Sequence, residues 1–288
     1  MSLLAIIITL GIERFYAVLD EYRNLGWFAR WGNWVEEHRT VDSKRGSFFT
    51  LLLTLLIPVL LAQQLGEWMG DGGWLPELLF SVLVLIISLG PKDLRSQVES
   101  VLESWSKEDI EGGILHAEGL LEGEIPQQPH GVVRKLTEAV LTEANPRIFA
   151  VLFWFILLGP AAALMVRLSL ILAELQQGEE GEAAPHWLTQ FNHFLGWPSA
   201  HLVALSYALV GDFSKAFKQM MKQAGDWKHN HAVMRHAGTG AIQLEPVDEE
   251  ESLIETDLQE VWDALEMVRR AEMAWMVLLA LMVISDLF

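Results

Sequence analysis

The most restrictive feature of this chain is an uncharged run of 19 residues, Ile148–Val166, which is followed at once by Arg167. A helix rises about 1.5 Å per residue, so a run of this length matches the roughly 30 Å hydrocarbon core of a bilayer. The chain is also 51% hydrophobic and holds 12 Trp among its 288 residues. We therefore interpret Ile148–Leu172 as one membrane-crossing helix rather than the core of a soluble domain.

Five further segments are apolar enough to enter a membrane: Ser2–Ile12, Gly46–Gly66, Trp74–Gly90, Phe194–Gly211 and Met273–Phe288. The second is uncharged over 21 residues and contains Pro58, which transmembrane helices tolerate. Ser2–Ile12 is predicted to be a short helix that is not cleaved off and that either enters the membrane halfway or just crosses it. The Trp-rich stretch that comes after it favours a helix at the membrane interface, with an amphipathic helix packed on protein as the alternative.

The basic residues sort into alternate loops. Six Lys and Arg lie in residues 13–47, six in 91–147 and seven in 212–272, which leaves only Arg167 elsewhere. Because cytoplasmic loops of membrane proteins carry the excess of Lys and Arg, we expect these three loops in the cytoplasm. The loops 66–73 and 173–196 are then expected outside.

This topology predicts an all-α, polytopic transmembrane protein with amphipathic and cytoplasmic helices, in five successive parts. Residues 1–90 hold the short N-terminal helix, the interfacial Trp-rich helix and two transmembrane helices. Residues 91–147 are a cytoplasmic helical region, and 148–211 hold a transmembrane helix, a periplasmic loop and a second membrane segment. Residues 212–272 hold cytoplasmic helices and an acidic linker, and 273–288 a C-terminal transmembrane helix.

Three loop segments carry apolar stripes at helical spacing: 93–111, 131–146 and 256–270. We expect them to pack together beneath the membrane, with Trp105 and Trp262 in the packed stripes. Residues 213–222 alternate Phe and Met with three Lys and predict a basic amphipathic helix near the inner leaflet. Residues 238–255 include an acidic run and predict a mobile linker.

Several functions are disfavoured. A net charge of −18 argues against nucleic-acid binding, which needs a basic face. The chain has no Cys, no phosphate-binding Gly-rich loop and no nucleophile elbow, so no catalytic residue, cofactor or metal is assigned. His229, His231 and His236 are interpreted as part of a polar loop rather than a metal site.

Arg167 has two interpretations. A buried ionisable group inside a membrane segment indicates a functional site or a structural pairing. Alternatively, its long side chain reaches the nearby outer interface, because it lies within two turns of the predicted helix end. Gly159 and Ala163 form a small-x-x-x-small pair that permits a close helix contact, and Pro160 is expected to kink the helix.

At this point the residues resemble a known family. The stretch EANPRIFAVLFWFILLGPAAALMVRLSLIL is similar to the core of the membrane family that unites AmpE with the cobalamin-biosynthesis synthases of the CobD/CbiB type. The matching positions are Glu143, Asn145, Phe153, Trp154, Gly159, Pro160, Ala163 and Arg167. The stretches LGPKDLRSQVESVLESWSKEDIEGG and GWPSAHLVALSYALVGDFSKAF resemble two further family segments, so the resemblance covers most of the chain.

The resemblance implies one of two branches. The synthase branch forms an amide on a corrinoid carboxylate, and its motif has an Asp shortly after the Glu-Asn pair, a Tyr before the Arg and an Arg in the third segment. Here residues 145–149 hold no acid, and Val166 and His201 occupy the other two places. We therefore expect an inner-membrane regulatory protein of the AmpE type, linked to β-lactamase induction and cell-wall recycling. The synthase is the alternative, and a transporter is a third, less favoured class.

A site follows from the predicted topology. Glu143, Asn145 and Arg147 precede the crossing that begins at Ile148, and Asp93 and Arg95 follow the preceding one, so all five are expected at the inner membrane surface. There they would bind a small ligand or a protein partner. Arg167 is expected about 30 Å away, as a structural anchor that pairs with an acid or a lipid phosphate. The bilayer itself is an expected partner, and an oligomer is left open.

Overall fold

The structure is a computed structural model that describes residues 2–15, 25–37, 44–90, 94–107, 109–118, 120–121, 129–176, 184–222, 229–244 and 254–285. Every regular element in these ranges is helical, which confirms the all-α prediction. The α-helices are α1 (Ser2–Phe15), α2 (Gly26–Glu37), α3 (Lys44–Asp71), α4 (Trp74–Ser88), α5 (Leu94–Ser106), α6 (Ile110–Glu118), α7 (Pro129–Ala144), α8 (Ala150–Leu158), α9 (Pro160–Leu175), α10 (His186–Val210), α11 (Phe213–Lys222), α12 (Asn230–Ala241) and α13 (Ile254–Ile284). A π-helical turn, Asn145–Phe149, lies between α7 and α8.

Two described helical stretches are long and apolar enough to cross a membrane, Phe48–Asp71 and Gly131–Leu158. The first lies within α3 and confirms the long apolar helix predicted over Gly46–Gly66. Ser2–Ile12 and Trp74–Ser88 are shorter apolar helices. The number of true crossings therefore stays a prediction.

The single crossing predicted over Ile148–Leu172 is wrong, because the helix breaks at Gly159. This glycine has φ 82° and ψ −167°, a conformation that is essentially restricted to glycine. Pro160, at the first turn of α9, cannot donate a backbone hydrogen bond back into α8. An uncharged run therefore supplies two helices instead of one, a distinction that hydropathy alone does not make.

The chain forms two compact units: Met1–Pro91 with Pro146–Gly196, called unit 1, and Lys92–Asn145 with Trp197–Phe288, called unit 2. In unit 1, α8 and α9 form a helical hairpin. The end of α4 meets the beginning of α8, where the Gly90 N–H donates to the Arg147 carbonyl over 3.1 Å. Leu158 and Pro160 lie instead beside the end of α3 and the beginning of α4. The helix α8 therefore runs antiparallel to α4.

The returning helix α9 runs antiparallel to α3. Its first residues lie beside the end of α3, whereas Leu168 and Leu172 share a buried cluster with Leu51 and Leu55 near the beginning of α3. The rest of this cluster consists of Leu25, Phe28, Phe80, Val84, Leu164 and Leu188. Leu and Phe at intervals of four residues place one apolar stripe of α9 on α3 and α4.

The hairpin also determines which end of α3 lies beside the beginning of α10. Trp187, in the first turn of α10, packs edge-on against Phe48 in α3, with ring centroids 4.9 Å apart. Phe48 lies at the basic end of α3, which the Lys and Arg distribution predicts to be cytoplasmic. Because the second arm of the hairpin returns the chain to that end, residues 184–187 do not emerge at the opposite one.

Unit 2 confirms the packing predicted for the three amphipathic segments. Helices α5, α7 and α13 contact one another, and α6 packs on α5 and α7. Val98, Leu136 and Val261 are completely buried. Trp262 is not, since 37% of it is exposed, so its assignment to the packed stripe is wrong. Val261 and Val268 of the predicted stripe are buried, and so is Ala264, which the sequence had not indicated.

Two further predictions need correction in unit 2. The segment predicted as a polar loop around His231 and His236 is helix α12, in which Val233, Met234 and Ala237 are buried. The predicted linker begins inside this helix at Gly238, whose missing side chain lets Leu141 of α7 approach. The acidic run at 245–253 lies outside the described residues.

Gly159→Ala is expected to lower the free energy of unfolding by about 1–3 kcal/mol, because alanine in this conformation is strained. Gly70→Ala is the matched control: Gly70 lies in α3 with nothing near the position of a Cβ atom. Alanine there is expected to stabilise the helix by up to roughly 1 kcal/mol. Thermal unfolding in detergent measures the change in stability of both variants. A change of the same sign in the two would contradict strain at Gly159.

Candidate functional site

The π-helical turn Asn145–Phe149 lies within the predicted binding motif. Pro146 lacks the N–H that would bond to the Thr142 carbonyl in a regular α-helix. Insertion of a wider turn is a common response to such a missing bond, and π turns inside α-helices occur frequently at functional sites. Asn145, which begins the turn, is only 3% exposed, whereas Glu143 and Arg147 on either side are half-buried.

A tyrosine supports the end of α7 within unit 2. The Tyr207 hydroxyl donates to the Leu141 carbonyl oxygen over 2.9 Å, and the Tyr207 side chain is completely buried. This bond joins α10 to α7 one turn before the π-helical turn begins. Sequence reasoning missed Tyr207, although a tyrosine in an apolar helix already indicates a need for a hydrogen-bond partner.

A glycine supports the other end of the turn within unit 1. Besides the bond from its N–H to the Arg147 carbonyl, Gly90 lies so close to Arg147 that an added Cβ atom would be 3.0 Å from the Cβ and Cγ atoms of the arginine. Any larger residue at position 90 would press on the Arg147 side chain. The end of α4 thereby limits where this guanidinium group can lie.

The remaining predicted binding residues have different surroundings. Asp93 lies outside the described residues. Arg95 donates to Glu99 over 2.7 Å and has its guanidinium carbon 6.0 Å from the centre of the Trp262 ring. These contacts place Arg95 where α5 packs on α13. Glu143 and Asn145 belong with Arg95 to unit 2, and Arg147 belongs to unit 1.

Arg167 is only 5% exposed and lies halfway along α9, between the buried Leu164 and Leu168. Arg167 lies about 11 Å from Pro160 along the axis of α9, on the arm that returns from the hairpin turn. The separation of about 30 Å from the inner residues assumed one straight helix, so that estimate is wrong. Its position also removes the geometric basis for a side chain that reaches the outer interface.

A cleft of about 290 Å³ at the hairpin turn was not predicted. Its polar lining comes from Gln63 and Glu67 of α3 and from Glu77 and Ser81 of α4, and the Gln63 amide donates to Glu67 over 2.9 Å. Two carboxylates without a basic residue in the lining favour a cationic ligand there. The sequence feature that could have indicated this cleft is the pair Gly159–Pro160. The break at this pair brings the α8–α9 turn beside the α3–α4 turn.

Comparison with known proteins bears on the whole chain. The family described as "Regulatory signalling modulator protein AmpE" matches residues 1–287. The chain belongs to the AmpE family. The predicted resemblance is thereby confirmed, and the motif from Glu143 to Arg167 lies inside the matched region of this AmpE-family chain.

Two curated relatives are each described as "Cobalamin biosynthesis protein CobD". The one from Chromobacterium violaceum is 28% identical over 171 residues, which cover 58% of this chain and 54% of the relative. The one from Stutzerimonas stutzeri is 27% identical over 222 residues, which cover 75% of this chain and 72% of the relative. The match thus spans about half the length of the first relative. No solved structure matches the chain.

Proposed function

We propose that this AmpE-family chain is a multi-pass regulatory protein of the bacterial inner membrane that takes part in β-lactamase induction and cell-wall recycling. The family match over residues 1–287 carries the proposal. Helix α3, which is long and apolar enough to cross a membrane, supports the location. So do Trp68 and Trp74, which are 68% and 59% exposed beside the α3–α4 turn, as is typical of side chains at a bilayer interface.

The segment Glu143–Arg147 is the proposed binding site for a ligand or partner at the cytoplasmic surface, with Asp93 and Arg95 as further members. In the sequence, Glu143 and Arg147 place one charge of each sign on either side of Asn145. Such a set can bind a polar group that carries both a donor and an acceptor. Arg167 keeps the role of a structural anchor in this proposal, now inside the hairpin.

The test is β-lactamase induction by variants expressed at matched levels. Glu143→Ala, Asn145→Ala and Arg147→Ala are each expected to weaken induction by roughly tenfold, equivalent to about 1.4 kcal/mol of binding free energy. Glu103→Ala is the matched control, because Glu103 is exposed and pairs with Lys107 on the surface of α5. Full induction by all three variants would exclude the site and leave the motif as scaffold. Loss in Arg167→Ala alone would place the function in the hairpin instead.

The alternative is a membrane-bound, amide-forming synthase of the cobalamin-biosynthesis type. The identities of 27–28% to two proteins described as CobD favour it. A strain that lacks its CobD synthase separates the two functions: growth restored by this chain would establish the synthase, and no growth combined with restored induction in an AmpE-deficient strain would establish the regulator.

A further inference from the structure

Helix α11 in unit 2 exposes a large apolar face. Phe213, Phe217 and Met221 are each about half exposed, and the two phenyl rings stack with centroids 5.8 Å apart. Residues four apart in a helix lie on the same side, so the three form one continuous strip. We call this strip the α11 face. In a soluble protein such a strip would be a strong candidate for contact with another apolar surface.

The side of α11 that carries Ala216, about 100° around the helix from Phe217, is held firmly on α12. Ala216 is completely buried, and a Cβ atom added to Gly240 would lie 2.7 Å from the Ala216 Cα atom. The backbones of the two helices therefore meet at a point where only glycine fits. Asp212 strengthens the junction, because its N–H donates to the Ala241 carbonyl over 3.0 Å. The α11 face consequently points away from α12 and cannot turn inward without loss of this contact.

Gly211, which directly follows α10, fixes the position of α11 along the axis of α13. A Cβ atom on Gly211 would lie 2.7 Å from the terminal methyl of Met267. Just beyond Met267, Arg269 and Arg270 both pair with Glu266, and hydrogen bonds from these arginines lower the pKa of Glu266 to about 2. The last charge before the apolar part is Glu272, and residues 273–284 of α13 carry none. The apolar part thus begins about 9 Å along the axis from Met267.

The apolar part of α13 has a surface suited to lipid. Val277, Leu281 and Ile284 are 60%, 57% and 80% exposed. The helix is joined there to α10 by a hydrogen bond of 2.9 Å from the Trp275 indole N–H to the Ser206 hydroxyl oxygen. Along α10, Leu202, Leu205 and Leu209 are likewise exposed. The α10–α11 turn therefore lies at the boundary between a charged and a lipid-compatible part of unit 2.

The charge of α11 is opposite in sign to that of the chain. The helix contains Lys215, Lys218 and Lys222 and no acid, in a chain of net charge −18. An apolar strip flanked by lysines suits the surface of a bilayer with anionic lipids, where each lysine favours the bound state by about fivefold. The acidic remainder of the chain would be repelled by the same surface, so the preference is local to α11.

We propose that α11 is an interfacial helix whose apolar face inserts among the acyl chains and whose lysines bind the headgroups of anionic phospholipids. This inference rests on the proposed membrane location of the chain. It assigns the contact of unit 2 with anionic headgroups to α11, which packs on α12. Helix α12 in turn contacts α7 where Gly238 meets Leu141.

The absence of cysteine in the chain permits a direct test. Met221→Cys on the α11 face carries an environment-sensitive fluorophore, and Gln219→Cys is the matched control about 160° around the same helix. Each full-length protein is reconstituted into bilayers of phosphatidylcholine alone or mixed with phosphatidylglycerol, with or without headgroup-spin-labelled lipid. We expect strong quenching at position 221 and little at 219, with the difference largest in the anionic bilayer. Lys215→Gln, Lys218→Gln and Lys222→Gln combined should abolish the dependence on phosphatidylglycerol.

The outcomes separate this inference from the proposed function. Failure of the chain to enter either bilayer would overturn the membrane location and this inference with it. Incorporation with equal, weak quenching at both positions would overturn the inference alone. Protection of position 221 from an aqueous quencher without quenching by lipid would show that protein covers the α11 face, which also excludes the lipid contact. Quenching that is the same in both bilayers would exclude the role of the lysines.

Discussion

Single cysteines at Asp71 and at His186 are expected to react with a membrane-impermeant thiol reagent from opposite sides of the bilayer. Asp71 ends α3, and His186 begins α10 beside Trp187, which contacts Phe48 at the other end of α3. If α3 crosses the membrane, as its length and composition permit, its two ends lie on opposite sides. The expected effect is binary: one position reacts in intact spheroplasts and the other only after permeabilisation.

The chain without added cysteine supplies the blank for this labelling, since it has no Cys. Reaction of both positions in intact spheroplasts would contradict the hairpin and restore the single crossing over Ile148–Leu172. If neither position reacts in intact spheroplasts and both react after permeabilisation, both ends of α3 lie in the cytoplasm. That result would contradict a membrane crossing by this helix.

Leu136→Ala is expected to destabilise unit 2 by about 2–5 kcal/mol, because it leaves a cavity at a completely buried position in α7. At roughly 2–4 °C per kcal/mol, the midpoint of thermal unfolding should fall by about 4–20 °C. Trp262→Ala removes a larger side chain but is the milder change, since this indole is 37% exposed. The ring lies 6.0 Å from the Arg95 guanidinium carbon, a contact that contributes about 0.5–1 kcal/mol at exposed sites.

Far-UV circular dichroism of the purified variants in one detergent measures both midpoints. Leu136→Met serves as the control for volume, with an expected cost below about 1.5 kcal/mol. A larger loss from Trp262→Ala than from Leu136→Ala would return the tryptophan to the core and contradict the position of the α13 stripe.

Local patterns were sufficient to predict the helices. Apolar residues at a period of about 3.6 define the buried sides of α5 and α7, because each helix has to cover that side. The uncharged length of Gly46–Gly66 likewise predicts the long apolar part of α3. The family motif between Glu143 and Arg167 was also visible in the sequence alone, since motif spacing does not depend on how the helices pack.

Tertiary packing settled the features that depend on partners distant in the chain. Hydropathy does not distinguish one long helix from two that meet at Gly159, because the hairpin is determined by one backbone conformation and by contacts with α3 and α4. The Lys and Arg distribution could not show that residues 184–187 lie near the basic end of α3, because it is the hairpin between α8 and α9 that returns the chain to that end. Trp262 was assigned to the core on hydrophobicity, although a shift of one residue turns a side chain by about 100°.

The candidate site shows the same division. Its residue types and order were visible in the sequence. The support of the turn by Tyr207 and Gly90 was not visible, because each of these residues is more than 55 positions away in the chain. Sequence therefore determined most of the helical segments, although not α12 or the division into α8 and α9, and it determined which residues carry charge. Tertiary packing determined which charges are buried, because burial depends on the distant helix that covers each side chain.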